Sequence, residues 1–132
     1  MITIPKNTEI HDEPGGKWWI DEHGILYSIG KKDAPKPTKE ETEKNRQRFK
    51  EIFGEKKICM MLDITYAQPT TKKERDEAAP QMGKMVKAIA LLTTSPLSRM
   101  MANLFFGLKP PPYPAKIFTN EKEAKEWLKQ YL

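Results

Sequence analysis

Between Lys56 and Leu132 three short apolar runs alternate with three segments that open on helix-start signals, and this alternation restricts the possible folds more than any other feature of the chain. The runs are Ile58-Cys59-Met60-Met61-Leu62-Asp63, Ala88-Ile89-Ala90-Leu91-Leu92-Thr93 and Ala115-Lys116-Ile117-Phe118. Short, continuously apolar runs suit strands that are covered on both faces. Strands of that kind alternating with helices form a parallel sheet. The expected fold class is therefore α/β.

The rest of the chain completes the pattern. Lys17-Trp18-Trp19-Ile20 and Ile25-Leu26-Tyr27-Ser28-Ile29 flank Asp21-Glu22-His23-Gly24, which reads as a β-hairpin with a four-residue turn. Residues 1–16, punctuated by Pro5, Pro14 and Gly15-Gly16, read as an irregular segment, and residues 17–132 as a single domain. Thr38-Lys39-Glu40-Glu41 has the form of a capping box and predicts a helix to Phe53, stopped by Gly54. Its apolar residues, Phe49, Ile52 and Phe53, lie near the end, so its first half should be solvated. Thr71-Lys72-Lys73-Glu74 is a second box, opening a helix with the stripe Ala78, Ala79, Met82, Met85 and Val86. Pro80 should kink or split that helix, because its ring removes a backbone donor. Ser95-Pro96 starts a third helix, striped by Leu97, Met100, Met101, Leu104, Phe105 and Leu108. Lys109-Pro110-Pro111-Pro112-Tyr113-Pro114 is a stiff connector. Asn120 then caps a last helix with the stripe Ala124, Trp127, Leu128 and Tyr131. The expected architecture is a mainly parallel sheet of four or five strands, opened by an antiparallel hairpin and flanked by four helices.

Composition narrows the function. A chain that is 38% apolar and 31% charged is ordinary for a soluble globular protein. The single cysteine, Cys59, sits in an apolar run, which excludes a disulfide framework and fits a reducing cytoplasm. No run approaches the ~18–20 apolar residues needed to span a bilayer. The net charge of +5 owes much to residues 36–57, where eight Lys and Arg meet five Glu. There Glu and Lys alternate as on a solvated helix, without the interleaved aromatics that stack bases. His11 and His23 stand outside any carboxylate, cysteine or serine constellation. With no Gly-rich phosphate loop, metal-ligand spacing or nucleophile motif, the chain reads as non-enzymatic and free of cofactors.

The element order, a hairpin followed by three right-handed crossovers, resembles the STAS or anti-sigma-antagonist fold, also called SpoIIAA-like. The segments Gly24-Ile25-Leu26-Tyr27, Met61-Leu62-Asp63-Ile64, Ala88-Ile89-Ala90, Ala102-Asn103-Leu104-Phe105, Pro114-Ala115-Lys116-Ile117-Phe118-Thr119 and Glu123-Ala124-Lys125-Glu126-Trp127-Leu128 are similar to those of small bacterial STAS-like proteins of unknown function. The resemblance spans roughly residues 17–131. It implies a regulatory or protein-interaction role. In regulatory STAS proteins the strand matching Ile58–Asp63 leads to a helix start bearing a phosphorylated serine after an aspartate. This chain has no Asp-Ser pair there; Thr70 and Thr71 occupy the nearest place.

The candidate switch or interaction site is therefore Asp63, Thr70, Thr71 and Arg75. A phosphate at Thr70 or Thr71 would meet free donors at the positive end of a helix dipole; the simpler role for Thr71 is an N-cap. Arg75 shares the stripe of Ala78, Ala79 and Met82, where its charge needs a partner. Asp63 could form a fork with it, or Arg75 could receive an anionic ligand at the strand ends. Arg99 and Asn103 form a candidate ligand flank, with surface roles as the alternative. The third helix, rich in Met and Phe, packs on the sheet or leaves apolar residues for a lipid, membrane surface or partner. Two functions follow as expectations. One is a regulatory interaction module that binds a protein partner. The other is a small-ligand or lipid carrier with Arg75 at an anionic head. An exposed sheet edge would also permit a homodimer.

Overall fold

A computed structural model of the chain describes residues 2–68, 71–108 and 111–132, and the side chains of residues 104–108 lie outside that description. The elements are β1 (His11–Glu13), β2 (Gly16–Ile20), β3 (Leu26–Gly30), α1 (Lys39–Phe53), β4 (Ile58–Asp63), α2 (Lys72–Met85), β5 (Val86–Leu92), α3 (Pro96–Leu108), β6 (Ala115–Phe118) and α4 (Glu121–Lys129). They build one six-stranded sheet in the order β1-β2-β3-β4-β5-β6. The first three strands are antiparallel and β3 to β6 are parallel. This is the expected α/β class, with the hairpin opening the sheet and four helices around it.

Strand order follows chain order, so each crossover steps one strand in the same direction. Crossovers of one hand must then place their helices on one face of the sheet. Phe49 and Phe53 of α1, Met82 of α2 and Ala102 of α3 all pack with Ile58, Met60, Ile89 and Leu91 on that face. The opposite face carries Trp19, Tyr27, Cys59, Met61, Ala88, Ala90 and Leu92, packed against Ala124 and Leu128 of α4. The two sets interleave along β4 because successive side chains point to opposite faces. In β5 the alternation is reset by a register shift: Ile58 pairs Val86 while Cys59 pairs Ala88. The extra residue, Lys87, is exposed, so the bulge keeps a charge out of the core. Burial pushes the Cys59 thiol above its ordinary pKa, consistent with a small core side chain.

Two expectations need correction. The segment 1–16 is not wholly irregular, since His11–Glu13 forms an edge strand paired to β2 and gives the sheet its sixth strand. His-Asp-Glu has no apolar signal, and its strand rests on backbone pairing and on side-chain ties, Asp12 to Lys31 and Glu13 to Arg48. The helical stripes are also less buried than their spacing implies. Ala78 and Ala79 are exposed, and α2 buries none of its residues. The helix runs through Pro80 without splitting. In α3, Leu97 and Met100 face outward, while Ser98 is buried. The rest of that stripe, Leu104, Phe105 and Leu108, falls outside the described side chains.

The hairpin turn is organised by Asp21. Its Oδ1 accepts from the His23 and Ile25 amides at 2.8 and 2.9 Å, and its Oδ2 accepts from the Tyr27 hydroxyl at 3.0 Å. Burial of Tyr27, reinforced by the negative charge of Asp21, drives its pKa well above the ordinary tyrosine value. A folded-state pKa above the unfolded one stabilises the fold below the unfolded value of about 10, and that stability is lost as pH rises past it. The urea midpoint is therefore expected to fall above pH ~10, and the fall should be shallower in Tyr27→Phe; parallel declines would deny Tyr27 that role.

Candidate functional site

The carboxyl ends of the parallel strands bring the starts of α2, α3 and α4 together. The ladder continues past the strands, with Ile64 N donating to Leu92 O at 2.8 Å and Thr93 N to Phe118 O at 3.1 Å. Beyond it each helix start is capped by its own side chain. Thr71 Oγ1 accepts from Glu74 N at 3.1 Å, and Glu74 Oε1 accepts from Thr71 N at 3.2 Å, a complete capping box. Asn120 Oδ1 accepts from Glu123 N at 2.9 Å. Ser95 Oγ accepts from Ser98 N at 3.3 Å, and buried Thr93 accepts from Ser95 N at 2.9 Å.

These caps bear on the predicted site residues. The Thr71 amide, first among causes, holds the Glu74 carboxyl below its ordinary pKa, with Lys36 assisting at 3.3 Å. The positive end of α2 thus already carries its own carboxylate. A phosphate on Thr71 would displace a working cap and sit beside Glu74, a like charge, so the structure gives Thr71 the role of cap. Thr70 lies outside the described residues. Asp63 closes its own turn, its Oδ1 accepting from Thr65 N at 3.0 Å. The expected Asp63–Arg75 fork is not among the ion pairs of the described residues; a carboxylate engaged by an amide two residues on is aimed along its own loop. Arg75 is half-buried on α2. Arg99 and Asn103 are both exposed, which fits the surface alternative.

What joins the β4–α2 loop to α3 is a contact that periodicity could not signal. The Ser98 hydroxyl, 3% exposed, donates to Thr65 O at 2.9 Å. Thr65 Oγ1 is buried without a hydrogen-bond partner among the described residues. The tether joins the segments that carry Tyr66, beside Thr65, and Leu97, beside Ser98, with Met100 one turn further along α3. All three are more than half exposed, at 52%, 60% and 54%. Leu97 and Met100 carry the signal of apolar residues at i, i+3, and of the two placements open to the third helix they take the outward one. Lys72 and Lys73 in the first turn of α2 and Arg99 in the first turn of α3 are exposed. The linker after β3 reaches the same end, where Gln68 donates to Ala34 O. Among the described residues no group of His, Cys, Asp and Glu could hold a metal ion, and no helix is long and apolar enough to cross a membrane.

No curated protein matches this chain. Among solved structures it is similar to an uncharacterised protein of the DUF3478 family with a SpoIIAA-like fold from Shewanella loihica PV-4. That likeness has a TM-score of 0.54 at 18% identity and covers 96% of this chain and 99% of the other, which supports the fold alone. A protein of unknown function from Arthrobacter sp. fb24 is 28% identical over 85% of this chain and 97% of its own, with a TM-score of 0.31, too loose to add to the argument. The model of a domain of unknown function, DUF7793, matches residues 18–132, which hold the sheet from Trp18 of β2 onward and all four helices. The chain therefore belongs to the DUF7793 family, and it has a SpoIIAA-like fold.

Proposed function

We propose that the protein is a non-enzymatic interaction module of regulatory type, which presents the carboxyl ends of its parallel strands to a protein partner. The observation that supports this reading is the exposure of Tyr66, Leu97 and Met100 on two segments that Ser98 and Thr65 pin together. Large exposed apolar side chains on tethered segments, a tyrosine and a methionine among them, suit an interaction surface. Exposed Lys72, Lys73 and Arg99, in the first turns of helices that start at the same end of the sheet, match a partner with an apolar centre and an acidic rim.

The test is site-specific photo-crosslinking in the source cells, with the photoreactive side chain at position 97 and, as a control, at Lys125 on α4. A protein captured at 97 and not at 125, and lost at least tenfold in Met100→Asp, is the expected result. Met100 is exposed, so the substitution should leave stability nearly unchanged. Equal capture at both positions would defeat the proposal. Co-sedimentation with anionic vesicles, abolished by Met100→Asp without any crosslinked protein, would favour the lipid-binding alternative.

A further inference from the structure

A half-open cavity of about 260 Å³ lies beneath the helix layer, between α1 and strands β1 to β4. Leu26, Met60 and Leu62 form its floor on the sheet, and Phe49, Ile52 and Phe53 form its roof on α1. One end is closed by the Trp18 ring. His11 stacks on that ring at 3.9 Å, and the Arg48 guanidinium stands 5.2 Å from its centroid. Arg48 is fixed in turn, donating to Glu13 Oε1 at 2.7 Å and lying 3.1 Å from His11 Nδ1.

The wall has two further properties. Its charges cancel locally, because the Arg48 cation meets the Glu13 carboxylate directly. Two polar side chains also line it, the half-buried Ser28 on β3 and the exposed Asn45 on α1. A charged guest would leave water without a compensating charge, which is costly. A guest with one hydroxyl or amide would bond to Ser28 or Asn45 and bury its apolar body among the rings of Trp18, Phe49 and Phe53. Size sets the rest. A dry cavity of about 150 Å³ accepts benzene, so one about three-quarters larger accommodates a fused second ring. We infer that this cleft binds an uncharged aromatic molecule of one or two fused rings that carries a single hydrogen-bonding group. The site is separate from the strand ends and does not depend on the interaction-module reading.

The test uses 2-naphthol, naphthalene and 2-naphthoate as probes of the full chain, followed by amide chemical shifts and by equilibrium titration. Saturable 2-naphthol binding is expected, with shifts confined to residues around Trp18, Ser28, Asn45, Phe49 and Leu62. The carboxylate probe should bind at least tenfold more weakly. Ser28→Ala should weaken 2-naphthol several-fold and leave naphthalene unchanged. Leu62→Trp, which fills the floor, should abolish binding. If that variant fails to fold, Ile52→Glu replaces it; Ile52 is 46% exposed, so the fold tolerates a charge there, while the cavity gains one at its roof. Non-saturating shifts, shifts elsewhere, or wild-type affinity in the folded Leu62→Trp or Ile52→Glu variant would overturn the inference.

Discussion

Trp19→Ala should lower the unfolding free energy by about 3–5 kcal/mol, the cost of removing a large aromatic side chain from a packed core. Trp19 is 2% exposed and stacks on Tyr27 with ring centroids 5.4 Å apart and an interplanar angle of 5°. Register places Trp19, Tyr27, Met61 and Ala90 opposite one another across four strands, so they form one row on the α4 side of the sheet. The cavity would open where two antiparallel strands meet the parallel part of the sheet, and backbone pairing on both sides resists collapse. A domain stabilised by about 5–15 kcal/mol would lose about a fifth of its margin or more. Urea unfolding followed by circular dichroism measures this. A midpoint within error of wild type would mean that Trp19 does not anchor the hairpin.

Leu128→Ala is expected to cost about 2–5 kcal/mol, with a different signature. Leu128 and Ala124 are the buried residues of α4, both at 0% exposure. Ala124 packs in the same cluster as Ala88 and Ala90, which lets the helix approach the sheet closely, and leaves Leu128 as the large side chain that fixes it there. Trp127 and Tyr131 flank it, with ring centroids 5.1 Å apart, and Trp127 also packs on Phe118. Losing Leu128 should let α4 open before the sheet does, since local openings follow the local density of buried contacts. Amide hydrogen exchange is expected to accelerate most in residues 121–129 and less in β4 and β5. Uniform acceleration would show that α4 and the sheet open as one unit.

The parts of the fold that could be read from the chain are those where local chemistry and tertiary packing agree. Ile58–Asp63 and Ala115–Phe118 are strands at the expected limits, and α1 runs from the Thr38 cap to the Gly54 stop. Pro80 stands where local chemistry and the fold diverge, for α2 continues across it. Helical spacing also says that a face is apolar without saying which way it turns. On α3 the inward position belongs to Ser98, whose hydroxyl is used to hold a loop, so Leu97 and Met100 turn to solvent. The Thr71 cap was legible because both halves of the box lie within four residues. The cleft beneath α1 was not, since it combines residues of β1, β2, β3, β4 and the helix that no single motif contains.

The placement of the helices also sets an order of risk during synthesis. All six strands precede α4, so Trp19, Met61, Ala88, Ala90 and Leu92 are made well before the helix that covers them. The other face is roofed progressively, because α1, α2 and α3 are each translated between the strands that they join. A nascent chain that has finished β6 therefore has one face dressed and one bare. Exposed apolar surface on a partly formed sheet promotes association between chains. Residues 121–129 end that interval, so translation of α4 is the step that turns a sticky intermediate into a domain closed on both sides.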